Sequence, residues 1–133
     1  LTSANGTQKT VLLVDDNAEI LETTARYLRA RALGVVTASS PLGVSALVIR
    51  HTPDLIVLDV MMPALGGDAL ASLLRGLPGA PTGRPAGRTA PILFYSAMEE
   101  EQLQRLAASL PGTGFVSKAD GLAALHTAIL ARL

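Results

Sequence analysis

Two apolar runs, Val11-Leu12-Leu13-Val14 and Leu55-Ile56-Val57-Leu58, are each followed at once by aspartate. No other feature restricts the fold of this chain so strongly. The runs are too short for a buried helix and show no polar alternation, so they read as central parallel strands covered on both faces. Val35-Val36, Ile92-Leu93-Phe94-Tyr95 and Phe115-Val116 supply three weaker strand candidates. Helical stripes lie between them. Leu21, Thr24, Ala25 and Leu28 recur at i, i+3, i+4 and i+7, as do Leu70, Leu73, Leu74 and Leu77, and Leu103, Leu106, Ala107 and Leu110. Val44, Leu47 and Val48 fit a shorter helix, and Leu122, Leu125 and Ile129 fit a last one. Strand then helix, five times over, predicts an α/β fold with a mostly parallel sheet, helices on both faces and right-handed crossovers.

A chain of 133 residues, 49% of them hydrophobic, is large enough for one domain with its own core. Residues 76–91 interrupt the rhythm with dense proline and glycine and no periodicity, the mark of an expanded surface loop before the fourth strand. Lysine plus arginine equals aspartate plus glutamate, 11 of each, so no global charge points to nucleic acid or membrane. The absence of cysteine excludes disulfides, thiol catalysis and thiolate metal sites. No apolar run approaches the ~18 residues of a membrane span. The polar opening, residues 1–8, is expected to be a flexible segment ahead of a domain over 9–133. Starting on Leu1 is expected of a piece of a longer protein or of added sequence.

In a doubly wound sheet, ligands bind beyond the carboxyl ends of the strands, and this sequence puts its acids there. Asp15 and Asp16 follow the first run, and Asp59 follows the second. If the two strands are neighbours, ~4.8 Å apart, the three carboxylates converge. Two of them ~4 Å apart repel by about 4 kcal/mol at an effective dielectric of 20. A hard cation with oxygen ligands is the usual compensation, and Mg²⁺ suits a site that also takes phosphate. Alone, Asp15-Asp16 reads more simply as a turn, with Asp16 capping the next helix. Asp59, between four apolar residues and Val60-Met61-Met62-Pro63, is harder to read as merely solvated. Ser96 at the end of the fourth strand offers a hydroxyl, and Lys118 after the fifth offers a compact charge for phosphate.

Together, Val14-Asp15-Asp16-Asn17, Asp59-Val60-Met61-Met62-Pro63 with Gly67, Ser96-Ala97 and Lys118 resemble the receiver domain of response regulators in two-component systems. The resemblance runs from about Lys9 to Leu133. It implies a flavodoxin-like sheet of order 2-1-3-4-5 with five helices, and a cytoplasmic phosphoprotein rather than an enzyme. It implies that Asp59 takes a phosphoryl group from a histidine kinase or phosphotransfer protein. Asp15, Asp16, Asp59 and the Met61 carbonyl would hold Mg²⁺, and Ser96 and Lys118 would contact the phosphate. Ser96 and Phe115 would report the switch, although Phe115 reads equally well as core. A homodimer on phosphorylation is a further partner it allows. Pro111-Gly112-Thr113-Gly114, where the DNA-binding branch commonly has acids, weakens that dimer. The family usually has proline after the lysine, commonly with a cis bond, and here stands Ala119.

Rival readings fit less well. A haloacid-dehalogenase-type phosphatase needs a second aspartate two residues after the nucleophile, where this chain has Met61. A flavodoxin phosphate loop would be repelled by Asp15-Asp16, and no G-x-G-x-x-G follows a strand. His51, read as a helix C-terminal residue, and His126 lie outside every motif. The alternative of another class is a phosphorylation-independent interaction module on the same fold, against which the complete acid, hydroxyl and lysine set argues. With no stretch left for an output domain after the fifth helix, the expectation covers a stand-alone regulator, the start of a transcription factor or part of a hybrid kinase.

Overall fold

The computed structural model describes residues 8–75 and 90–133. Most of the 76–91 loop, Leu77, and nearly all of the opening segment lie outside the described residues. Five strands and five helices alternate: β1 (Thr10–Val14), α1 (Ala18–Arg29), β2 (Gly34–Ala38), α2 (Val44–His51), β3 (Leu55–Leu58), α3 (Gly67–Arg75), β4 (Ile92–Ser96), α4 (Glu100–Ala108), β5 (Gly114–Ser117) and α5 (Gly121–Leu130). The sheet is parallel throughout, in the order β2-β1-β3-β4-β5, as the flavodoxin-like expectation requires. The two aspartate-tipped runs are therefore neighbours, with Val14 level with Leu58.

Burial explains the missing alternation. β1 is buried from Val11 on, and β3 throughout, because helices cover both faces of the sheet. Leu12, Val14, Ile56, Leu58, Ile92 and Phe94 pack with α2, α3 and α4. Val11, Leu13, Leu55, Val57, Leu93, Tyr95 and Val116 pack with α1 and α5. The period of two assigns each strand residue to one layer.

α1 buries Leu21, Thr24, Ala25 and Leu28, the four residues of its sequence stripe. α3 departs from expectation. Its buried face is Gly67, Leu70, Ala71 and Leu74, and Leu73 is exposed. The helix begins at Gly67, so the 3.6-residue period carries Ala71 inward and turns Leu73 out. Ser96 is the last residue of β4, at the strand end where the sequence places it. α2 ends on His51, as read from the sequence.

Candidate phosphoacceptor and metal site

The ladder continues one residue past β1 and β3. The Asp59 N–H donates to the Val14 carbonyl at 2.9 Å, and the Asp15 N–H donates to the Ala38 carbonyl at 3.1 Å. Both aspartates are thus fixed by the sheet and both are 5% exposed. Asp16 is exposed beside them, and the three residues each offer a carboxylate oxygen within 4.8 Å of the others. The turn leaves Asp16 free of capping. Asn17 caps α1 instead, its side chain accepting from the N–H groups of Glu19 and Ile20, both at 3.1 Å. This corrects the simpler reading of Asp16 as the cap.

Lys118 leans back over the pair from a 3₁₀ turn, Lys118–Asp120, that follows β5. Its Nζ donates to Asp15 Oδ2 at 2.7 Å and to Asp59 Oδ2 at 3.4 Å. Asp15 is the nearer of its two partners. The turn is set locally: Ser117 Oγ accepts from the Ala119 N–H at 3.1 Å. No peptide bond among the described residues is cis, so Lys118–Ala119 is trans.

Met61 and Ser96 sit beside Asp59. The Met61 N–H donates to Asp59 Oδ1 at 3.2 Å, while the Met61 side chain is exposed. Ser96 is fully buried, and its Oγ accepts from the Met98 N–H at 3.2 Å. Phe115 is half-buried and packs on the layer that holds Leu103 and Ala107 of α4. Gly67 has a role the motif alone did not reveal. A Cβ there would collide with the Asp59 carbonyl oxygen, so only glycine lets α3 start this close to the acceptor.

Burial pushes the Asp59 carboxyl above the ordinary carboxylate range; Lys118 opposes the shift, Asp15 adds to it, and the Met61 N–H and Ser96 hydroxyl pull it back. For Lys118, burial works against the charge, but the hydrogen bond to Asp15 and the pull of Asp59 outweigh it and raise its pKa. Two buried carboxylates against one ammonium leave a negative excess facing the exposed Asp16. Hard oxygen donors around a negative excess are the donor set that Mg²⁺ takes.

A family profile for the response regulator receiver domain matches residues 11–130. This chain is a response regulator receiver domain. Among curated relatives, it is 34% identical over 132 residues to the probable transcriptional regulatory protein TcrX of Mycobacterium tuberculosis, covering 89% of this chain and 56% of that protein. It is 30% identical over 123 residues to protein RcaC of Microchaete diplosiphon, covering 92% of this chain and 18% of that protein. The receiver domain thus spans only part of the length of these relatives. Among solved structures, the Vibrio cholerae chemotaxis protein CheY4 superposes with a TM-score of 0.81 at 21% identity, covering 96% of this chain and 100% of that one. A LuxR-family two-component response regulator from Aurantimonas sp. SI85-9A1 gives 0.78 at 27% identity, covering 94% and 84%. Among the described residues, no helix is long and apolar enough to cross a membrane.

Proposed function

We propose that Asp59 is the phosphoacceptor of a cytoplasmic two-component phosphorelay, and that residues 9–133 form the receiving unit. The observation that carries this reading is the pairing of a sheet-fixed, buried Asp59 with Lys118 3.4 Å away and two further carboxylates beside it. An Asp59 carboxylate oxygen attacks the phosphorus of a phosphohistidine on a histidine kinase or phosphotransfer protein. The P–O bond forms as the P–N bond breaks, and the leaving imidazole takes a proton from solvent. Lys118 then meets a phosphoryl oxygen with its ammonium, and the Ser96 hydroxyl donates to another. Asp15, Asp16, Asp59 and the Met61 carbonyl would hold Mg²⁺, which would supply positive charge against the phosphoryl oxygens.

The response follows from differential contact. A phosphoryl group attracts Lys118 and Ser96 more than the bare carboxylate does, and only such a difference shifts a two-state equilibrium. Those contacts draw on the segments after β4 and β5, with Phe115 next to them. Incubation with acetyl phosphate and Mg²⁺ should add one phosphoryl mass to the intact protein. Chelation and Asp59→Asn should each abolish it; a normal increment in Asp59→Asn refutes the assignment.

A further inference from the structure

Aromatic residues and lysines are both scarce in this chain, and one of each meets at the acidic pair. The sequence holds two tyrosines, two phenylalanines and no tryptophan, and its lysines are Lys9 and Lys118 alone. The Lys118 ammonium stands over the Tyr95 ring, 5.9 Å from its centre. At that range the negative face of a ring attracts a cation.

Tyr95 is 7% exposed. On its side of the sheet the other buried strand residues are aliphatic: Val11, Leu13, Leu55, Val57, Leu93 and Val116. Apolar packing in that layer is thus served by aliphatic side chains. Among the described residues, the one fully buried ring of the layer lies under the cation of the site.

Lys118 also has somewhere else to go. A cavity of about 280 Å³ opens beside it, lined by Tyr95, Ile20 and Leu122 and bordered by the exposed Glu19. Lysine carries its charge on a flexible four-carbon stem. A swing into this space would take the ammonium away from Asp59 and offer it another carboxylate. The bonds that oppose the swing are unequal, 2.7 Å to Asp15 and 3.4 Å to Asp59. A ring face adds attraction without a fixed donor–acceptor line. It can hold the ammonium near both acids and still let it shift toward a phosphoryl oxygen.

We propose that Tyr95 is a positioning residue for Lys118: its ring face keeps the ammonium over Asp15 and Asp59 and out of the open cavity, so that the charge is in place when a phosphoryl group arrives. Holding a group in position beforehand spares the entropy of bringing it there during the reaction. Tyr95 never touches the phosphoryl group. It acts through Lys118.

The effect on rate rests on the phosphoacceptor reading; the contact does not. With two lysines in the chain, lysine-selective NMR of the whole protein reads Lys118 directly. The ring should set its ε-methylene signals upfield of those of Lys9. Tyr95→Phe keeps the ring and should keep that shift, while Tyr95→Leu and Tyr95→Met fill the core without a π face and should lose it. In acetyl phosphate and Mg²⁺ the last two should take up phosphoryl groups about two- to fivefold more slowly, and Tyr95→Phe should react at the wild-type rate. In a Lys118→Ala protein, Tyr95→Leu should cause no further slowing, because both residues act through one contact. Lys118 signals that stay upfield in both Tyr95→Leu and Tyr95→Met overturn the contact. Equal slowing by Tyr95→Leu with and without Lys118 is the mark of lost packing and overturns the positioning role. If the wild type shows the shifted Lys118 signals yet takes no phosphoryl group, the phosphoacceptor reading has failed and the positioning role with it, while the contact stands.

Discussion

Asp54 and Asp59 bracket the same strand, β3, and do opposite things. At the amino end, Asp54 Oδ2 accepts the Thr10 N–H at 2.8 Å, and the Asp54 N–H donates to the Thr10 carbonyl at 2.8 Å. It joins β3 to β1. At the carboxyl end, Asp59 is buried beside a second carboxylate, and its charge is opposed by burial and relieved by Lys118. One residue type thus serves as a strand staple where backbone donors are near, and as a reactive group where charge is crowded. The sheet produces this contrast: its amino ends meet each other's backbone, while its carboxyl ends open onto turns that bring in Lys118.

Removing the cation should expose the contrast most strongly. Lys118→Ala leaves two buried carboxylates without their counter-charge, which costs roughly 3 kcal/mol. Urea melts at neutral pH in chelator should show that loss, and saturating Mg²⁺ should recover part of it. An equal loss with and without Mg²⁺ would mean that the lysine serves packing rather than charge. Beryllofluoride, a phosphoryl mimic, should shift amide signals around 96–101 and 115–119 in the wild type and much less in Lys118→Ala.

Mg²⁺ itself should come next. At ten times its dissociation constant it should stabilise the wild type by about 1.4 kcal/mol, and Asp16→Ala should remove most of that gain. Coincident thermal melts with and without the ion would contradict the metal site. Asp54→Ala should cost about 1 kcal/mol through its lost backbone bond, equally with and without Mg²⁺, and leave phosphoryl uptake intact.

A change read by direction alone comes from pH. Because the Asp59 pKa is raised in the fold, its ionisation opposes folding above that pKa. The penalty fades as pH falls through the folded value toward the ordinary one. In chelator, Asp59→Asn should therefore melt above the wild type at neutral pH, and the gap should close on acidification. A gap that widens instead would show that Asp59 is stabilised by its charge.

Most of this arrangement was legible in the sequence because strand ends carry it. Asp15, Asp59, Ser96 and Lys118 each close an apolar run, so topology alone gathers them. The helix faces were legible where one stripe fits, as in α1, and failed in α3, where Gly67 and Ala71 are too small to register as apolar positions. Asn17 escaped notice as a cap because Asp16 beside it was an equal candidate. The preference of Lys118 for Asp15 depends on ångström differences that no pattern carries.

The most direct test of the contrast along β3 is chemical trapping of the phosphorylated residue. Borohydride reduces an aspartyl phosphate to homoserine, and peptide mass spectrometry then locates the change. After acetyl phosphate and Mg²⁺, homoserine should be found at position 59 alone. Homoserine at position 54, 15 or 16, with Asp59 unchanged, would contradict the account.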